Sequence, residues 1–193
     1  MSSPKVYLAG PEVFLPNVSD IARQKLDLCD RYGCQGIFPF DAEIANFNEL
    51  SPAQQATRIS EENERLMREA DCVVANCTPF RGVSMDIGTG YEIGFMRGLG
   101  KPAFGYTNVP GSLADRTAKY NEQLGPHSID PYTEGTEIEN FGLFENLMIG
   151  VALKNFDCDV VVTTVAPADA LTDLHGFEAC LNQVQKVFDS TST

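Results

Sequence analysis

The most informative stretch of the chain is residues 71–106, DCVVANCTPFRGVSMDIGTGYEIGFMRGLGKPAFGY. It opens with a short apolar run, Asp71–Cys77, which predicts a buried strand. Residues 87–99 have the spacing of a helix that ends at Gly100–Pro102, and Pro102–Tyr106 predicts a second strand. A strand, a helix and a second strand in this order are typical of a parallel sheet with helices packed on it.

The same alternation extends to both sides of this stretch. Further strands are predicted at Val6–Ala9, Gly36–Pro39 and Asp159–Val165, and further helices at Ser19–Tyr32, Ser51–Ala70, Gly142–Asn155 and Pro167–Asp189. The pattern predicts an α/β fold: a doubly wound five-stranded parallel sheet with helices on both faces. The length of 193 residues suits a single domain that spans 1–193.

Two turns should flank a ligand site in such a sheet. Ligands bind doubly wound sheets beyond the carboxyl ends of the strands, at the point where the strand order reverses. Gly10–Pro11 follows the first predicted strand, and Thr78–Asp86 follows the third. We therefore expect the functional residues to gather around these two turns.

The segment Thr107–Asn140 is rich in Gly, Pro, Asn and Asp. This composition predicts a long irregular loop, with a helical turn near Leu113–Tyr120. Irregular stretches of this length are usually lids, binding loops or disordered segments, so the segment is a candidate lid.

Composition narrows the class of protein and its partners. The formal net charge of −13 disfavours binding to nucleic acid or to an anionic membrane. No apolar run reaches the ~18 residues of a membrane span, and the residues before the first strand are too few for a signal peptide. The six cysteines fit no common zinc spacing. We therefore expect buried thiols, a reducing compartment and a cytoplasmic location.

Several common catalytic motifs are absent. Residues 88–94 form GxGxxxG, one residue longer than the dinucleotide-binding fingerprint, and they do not lie in the first strand–helix turn. The phosphate-binding GxxxxGKS/T loop and the GxSxG nucleophile elbow do not occur. The two histidines, His127 and His175, are not at metal-ligand spacing. Neither a nicotinamide cofactor nor a metal is expected.

Polar residues interrupt the apolar faces of two predicted helices. Glu92 shares a face with Phe95 and Met96, and Gly88 leaves space one turn before it. A carboxylate beside such a space suggests a ligand site, and the alternative is a buried structural acid paired with Arg81 or Arg97.

The other polar candidates also have two interpretations. Asn63 lies on the face of Ile59 and Leu66, where it could contact a ligand or bond to a loop carbonyl. Asp86 could contact a ligand or simply cap its helix.

Five blocks of sequence, in order, resemble the nucleoside 2-deoxyribosyltransferase family. They are Tyr7–Phe14, Asp71–Asn76, Pro79–Gly82, Asp86–Gly94 and Asn146–Met148. The resemblance runs to about Leu153 and implies a flavodoxin-like sheet. It also implies an enzyme that exchanges the base of a 2′-deoxynucleoside for a free nucleobase, without a cofactor.

The resemblance assigns roles to individual residues. It implies that Glu92 is the nucleophile, that Tyr7 orients Glu92 and that Asp86 binds the sugar hydroxyls. It implies that Asn146, with Met148 beside it, reaches a neighbouring subunit's site, so the chain should form a homo-oligomer. Further candidate contacts to the nucleoside are Gly10, Pro11, Phe14, Asn63 and Gly88, and Phe38 could stack on the base or belong to the core.

The chemistry fits these residue types. Cleavage of an N-glycosidic bond develops positive charge at C1′, which a carboxylate can stabilise and then bond to, and two inversions give net retention. A Tyr7 hydrogen bond and the nearby helix N-terminus should favour the ionised Glu92. Asn63 stands where some family members have an acid, and an amide cannot protonate a leaving base.

Two other functions remain open at this point. One is hydrolysis of deoxynucleoside 5′-monophosphates, for which Arg81 is the candidate phosphate contact. The other is a non-catalytic nucleotide-binding module on the same fold.

Overall fold

The computed structural model of the protein describes residues 3–39, 46–124, 135–154 and 158–190. Five parallel strands form one sheet in the order β2-β1-β3-β4-β5. Their bounds are Lys5–Ala9 (β1), Gln35–Ile37 (β2), Cys72–Asn76 (β3), Ala103–Thr107 (β4) and Val161–Val162 (β5). This is the flavodoxin-like strand order, and its switch point lies between β1 and β3. The predicted fold class is confirmed.

Six helices cover the two faces of this sheet in the described residues. They are α1 (Val18–Arg31), α2 (Pro52–Glu69), α3 (Ile87–Gly98), α4 (Leu113–Leu124), α5 (Leu147–Ala152) and α6 (His175–Ser190). Short 3-10 turns occur at Pro11–Phe14, Phe47–Glu49 and Pro167–Asp169.

Alternate residues of each strand face different helices. Val6 and Leu8 of β1 pack in the core beneath α1 and α6. Tyr7 and Ala9 point to the opposite face, where α2, α3 and the end of α5 pack. The side chain of Tyr7 therefore lies on the same face of the sheet as α3.

Local hydrogen bonds explain where the central helices begin. Ser51 and Gln54 form a reciprocal capping box at the start of α2, and Pro52 occupies the first helical position, as predicted. Asp86 caps α3 by accepting a hydrogen bond from the Thr89 amide. The two helices bordering the switch point are thus specified by their own sequences.

The segment predicted to be irregular contains a longer helix than the turn predicted near Leu113–Tyr120. Residues 113–124 form the 12-residue helix α4. Ser112 and Asp115 exchange hydrogen bonds across its first turn, at 3.1 Å in each direction between amide and side-chain oxygen. Arg116 anchors the helix by donating to the Val83 carbonyl at 2.8 Å. Residues 125–134 of the candidate lid, which include His127, lie outside the described residues.

The C-terminal elements are shorter than predicted. α5 begins at Leu147 because Asn146 caps it, and Gly142 has a φ of +68°, which is incompatible with a continuous helix from 142. β5 is confined to Val161–Val162. The last helix begins at His175, whose amide donates to the Asp173 carboxylate at 3.0 Å, so the segment from Pro167 contains a break.

Candidate active site

Glu92 and Tyr7 come together on one face of the sheet. The Tyr7 hydroxyl donates to Oε1 of Glu92 at 2.7 Å, although the two residues are 85 positions apart. Tyr7 is fully buried on β1, and Glu92 is half-buried on the second turn of α3. Neither Arg81 nor Arg97 forms an ion pair with Glu92 among the described contacts, so the arginine-paired interpretation is wrong.

The electrostatic balance at Glu92 differs from the prediction in one respect. The Tyr7 hydrogen bond favours the ionised form, as expected, but burial is the larger effect and raises the pKa of Glu92 to about 7. The charges of Asp86 and Glu12 act in the same direction as burial. Burial, together with the Glu92 charge, raises the pKa of Tyr7 far above its usual value, so the phenol remains protonated and donates.

Asp86 caps α3 through one of its two carboxylate oxygens. Oδ2 accepts hydrogen bonds from the amide and the hydroxyl of Thr89, at 3.0 and 3.2 Å. Within the described residues, Oδ1 accepts none. The capping role is therefore observed, and one oxygen remains for a ligand.

Two aromatic rings and an arginine connect the turns at the switch point. Phe14, which is 53% exposed, stacks on Phe80 with 5.4 Å between ring centroids. The Arg81 guanidinium lies over both rings, 4.7 Å from the Phe14 centroid and 4.6 Å from that of Phe80. Phe14 is thus available to a ligand, whereas Phe38 is buried in the core.

The two glycines predicted as contacts to the nucleoside have different surroundings. A Cβ on Gly88 would lie 3.0 Å from Oδ2 of Asp86, so this glycine keeps the capping carboxylate clear. Gly10 and Pro11 are buried directly after β1, and a Cβ on Gly10 would lie 1.9 Å from Oε2 of Glu12.

Asn63 is not connected to the other candidates by hydrogen bonds among the described residues. It is half-buried on α2, whose buried residues are Leu66 and Met67. Ile59, predicted on the same apolar face, is 44% exposed. The apolar stripe of α2 is therefore shorter than predicted, and Asn63 lies at its edge.

Asn146 and Met148 lie on α5, which packs against α3 of the same chain. Asn146 caps α5 by accepting from the Met148 amide at 3.0 Å, and its Nδ2 donates to Glu139 at 2.9 Å. Met148 is 71% exposed. Ile149, next to it, would be 3.7 Å from a Cβ on Gly90 of α3.

Two buried acids near the site were missed by the sequence analysis. Glu12 is 1% exposed and forms an ion pair with Lys25, which is fully buried. Glu145 is also 1% exposed and accepts from the Ser84 hydroxyl at 2.6 Å and from the Met85 amide at 3.0 Å. Lys25 could have been found, because it interrupts the apolar face of α1 as Glu92 does that of α3.

Comparison with known proteins identifies the family of the chain. The sequence profile described as nucleoside 2-deoxyribosyltransferase matches residues 6–148, nearly three quarters of the chain. The chain therefore belongs to the nucleoside 2-deoxyribosyltransferase family, whose substrates are nucleosides and nucleobases.

Individual relatives give the extent of the similarity. An uncharacterised fission yeast protein (Schizosaccharomyces pombe) is 33% identical over 135 residues, which cover 68% of this chain and 64% of that protein. The match thus spans under two thirds of the yeast protein's length.

Two solved structures share the fold. A 2-deoxyribosyltransferase from Leishmania mexicana superposes with a TM-score of 0.65 at 24% identity, covering 95% of this chain and 97% of the other. A conserved protein from Enterococcus faecalis gives a TM-score of 0.51 at 17% identity, covering 94% and 99%.

Other features of the chain complete this description. Five of the six cysteines (Cys29, Cys34, Cys72, Cys77 and Cys180) are buried thiols, as predicted, whereas Cys158 is only half-buried. Burial raises the pKa of Cys34 to about 11, so its thiol is a poor nucleophile at neutral pH. No helix in the described ranges has the length and apolar character to cross a bilayer. No cluster of three potential metal ligands occurs in the same ranges.

Proposed function

We propose that the protein transfers a 2-deoxyribosyl group between nucleobases through a covalent intermediate on Glu92, with net retention at C1′. The observation that carries this proposal is the hydrogen bond from the buried Tyr7 hydroxyl to Glu92 beside the switch point of the sheet. It fixes one carboxylate oxygen and leaves Oε2 without a hydrogen bond from the described residues. Family membership supplies the class of substrate.

In the first step, Oε2 of Glu92 bonds to C1′ while the N-glycosidic bond breaks. The bonding electron pair stays on the base nitrogen, and C1′ is inverted. Glu92 must be ionised for this attack, and a pKa of about 7 leaves a substantial ionised fraction at neutral pH. The same raised pKa makes the carboxylate more basic and so a better nucleophile.

In the second step, a nitrogen of the incoming base attacks C1′ from the face that the first base left. The ester bond breaks, and the electron pair returns to the Glu92 carboxylate. The incoming base releases a proton and the leaving base takes one up, so the exchange is balanced in protons. Asn63, an amide, does not supply this proton.

Asp86 is proposed as the sugar-binding acid. Its Oδ1 accepts no bond from the described residues, whereas Oδ2 is held by Thr89. A carboxylate oxygen of this kind accepts hydrogen bonds from sugar hydroxyls. Gly10, Pro11, Phe14 and Gly88 are proposed as the remaining contacts to the nucleoside around the same switch point.

We infer further that the chain works as a homo-oligomer in which Asn146 completes a neighbour's site. Ile87 on α3 is 89% exposed, and Met148 and Val151 on α5 are 71% and 58% exposed. Exposed apolar residues grouped on adjacent helices are typical of an interface. Mixing an Asn146→Ala variant with a Glu92→Gln variant tests this, because mixed oligomers would contain intact sites and recover activity. A mixture that stays as inactive as its components would contradict the shared site.

Hydrolysis of deoxynucleoside 5′-monophosphates is the second candidate. The exposed Arg81 guanidinium beside Phe14 is the observation that favours it. Asp86 and Glu12, whose negative charges both act on Glu92, would oppose a phosphate at the same site. We therefore prefer a neutral deoxynucleoside as substrate.

The decisive assay incubates the protein with a 2′-deoxynucleoside and a second free base. The swapped nucleoside should form with the wild type and not with a Glu92→Gln variant. A Glu61→Gln control, at an exposed position of α2, should form it. Release of free deoxyribose without exchange would contradict transfer. Faster turnover of the 5′-monophosphate, lost in Arg81→Gln, would favour the second candidate. Binding without any turnover would indicate a non-catalytic module.

The cytoplasmic location remains a proposal. It rests on the buried thiols, which are typical of proteins in reducing compartments.

A further inference from the structure

The proposed mechanism does not use a buried polar cluster that lies under the turn after β1. Glu12 lies in that turn, and its Oε1 forms an ion pair with the Lys25 ammonium of α1. The same oxygen accepts from Nδ2 of Asn76 at 2.9 Å and from the Tyr106 hydroxyl at 3.1 Å. One carboxylate oxygen thus joins the turn to α1, β3 and β4.

Stability alone is a weak explanation for this cluster. Replacing a buried ion pair by apolar residues of similar size is often neutral or stabilising. Lys25 lies on the buried face of α1 beside Ile21 and Cys29, and its ammonium is 5.0 Å from the ring centroid of Phe177. An apolar side chain would suit these surroundings, so the charge needs another reason.

The Glu12 carboxylate determines which residue can precede it in the turn. A Cβ at Gly10 would lie 1.9 Å from Oε2 of Glu12 and 3.0 Å from Cβ of Asn76. The φ of Gly10, 162°, is ordinary extended backbone. Gly10 is therefore required for space: the carboxylate packs against the backbone at the point where β1 ends.

The same hydrogen bonds continue across the ends of the other strands. Oδ1 of Asn76, the last residue of β3, accepts from the Thr78 amide at 3.1 Å. The Thr78 hydroxyl accepts from the Asn108 amide, directly after β4, at 3.1 Å. The hydroxyl of Thr163, directly after β5, donates to Oδ1 of Asn108 at 2.6 Å. One continuous network connects the carboxyl ends of β1, β3, β4 and β5.

We propose that Glu12 is a positioning residue of the active site, which holds the Gly10–Phe14 turn against the ends of β3 and β4 so that the nucleoside meets Glu92 correctly. This inference rests on the proposed function. Glu12 acts through the turn: it fixes the backbone of Gly10 and Pro11 and the Cα position of Phe14. Asn76 extends the same control to the loop that carries Phe80 and leads to Asp86.

The charge of Glu12 gives the proposal a second, measurable effect. The groups that act on Glu92 are Tyr7 from β1, Asp86 from the start of α3 and Glu12 from the turn. The Glu12 charge raises the pKa of Glu92, so removing it should move the acid limb of the rate profile to lower pH. This shift reports the charge of Glu12, whereas a rise in KM reports its effect on the position of the turn.

The test replaces the ion pair by a neutral pair of similar size, Glu12→Gln with Lys25→Met, so that no charge is left buried and unpaired. The matched control is Asp20→Asn with Arg23→Gln, an exposed pair on the same helix. Tyr106→Phe is the second variant, because it removes one hydrogen bond to Glu12 and keeps the aromatic packing. Each is assayed for base exchange, with kcat and KM measured from pH 5.5 to 9 and folding followed by circular dichroism.

We expect the neutral pair to fold, to raise KM about tenfold, equivalent to about 1.4 kcal/mol, and to shift the acid limb to lower pH. Tyr106→Phe should raise KM less, and the control should match the wild type. Unchanged KM in folded variants would overturn the positioning role. If the neutral pair fails to fold, wild-type KM in Tyr106→Phe would overturn it. A wild type without exchange activity would instead refute the proposed function, together with this inference.

Discussion

Glu12 is buried and Glu92 is half-buried near the switch point, and the two carboxylates are held in different ways. Oε1 of Glu12 receives a lysine ammonium, an amide and a phenol, each from a buried residue. Glu92 receives one phenol and has two acids acting against its charge. The negative charge of Glu12, which holds structure in place, is therefore balanced by an ion pair and hydrogen bonds. The negative charge of Glu92, which is proposed to react, is balanced only in part.

The largest expected difference between the two is in activity. Glu92→Gln should lower the rate of base exchange by about 10⁴-fold or more, the scale seen when a nucleophile is removed. The rates are to be measured by chromatography of the swapped nucleoside, with Glu61→Gln as the surface control. A Glu92→Gln variant that retains a tenth of the wild-type rate would remove the distinction between the two glutamates.

The next largest difference is in stability, and here substitution of Glu12 should cause the larger loss. Glu12→Gln leaves the Lys25 ammonium buried and unpaired, so the free energy of unfolding should fall by about 3–5 kcal/mol. Urea unfolding at pH 8 measures this loss. The exposed ion pair of Glu61 with Arg58 should be worth at most about 1 kcal/mol by the same measurement. If Glu12→Gln is as stable as the Glu61→Gln control, the Glu12 carboxylate does not compensate the buried Lys25 charge.

Glu92→Gln should have the opposite effect on stability. The folded-state pKa of Glu92 is about 7, against the usual 4.5. Ionisation of Glu92 therefore destabilises the folded protein as the pH rises from about 4.5 to 7, by about 3 kcal/mol in total. The variant lacks this loss, so it should be more stable than the wild type at pH 8 and equal to it near pH 4.5. Urea titrations at the two pH values would contradict this if the difference did not grow with pH.

Tyr7→Phe should have the smallest effect of these substitutions, and it tests how the Tyr7 hydrogen bond influences the ionisation of Glu92. The Tyr7 hydrogen bond lowers the pKa of Glu92, so its loss should raise that pKa and move the acid limb of kcat/KM to higher pH. The rate at pH 7 should fall about tenfold, and part of it should return at pH 9. A uniform loss at every pH would indicate that Tyr7 does not act through the ionisation of Glu92.

Much of this site could be predicted from the sequence because its elements have strong local patterns. The apolar run of β3, the Asp86 cap and the helix around Glu92 are specified within about 30 residues. The polar interruption of an apolar helix face was sufficient to single out Glu92. The same argument applied to Lys25 would have pointed to the buried polar cluster around Glu12.

The rest could not be predicted because it depends on distant contacts. Glu12 meets Asn76 and Tyr106 across 64 and 94 positions, and nothing local marks it as buried. α4 was predicted only as a helical turn because its sequence is polar and flanked by Gly and Pro, while its anchor, Arg116, bonds to a backbone carbonyl 33 positions away. The raised pKa of Glu92 was not predicted either. Burial raises this pKa more than the Tyr7 hydrogen bond lowers it, and the sequence pattern does not give the extent of burial.

The covalent intermediate is the central claim, and mass spectrometry tests it directly. A 2′-fluorinated deoxynucleoside should slow both steps, because fluorine disfavours the positive charge at C1′, and should allow the intermediate to accumulate. After proteolysis, the account predicts a fluorodeoxyribosyl adduct on the peptide that contains Glu92 and none in Glu92→Gln. An adduct on another residue, or turnover of the analogue with no adduct in rapidly quenched samples, would contradict it.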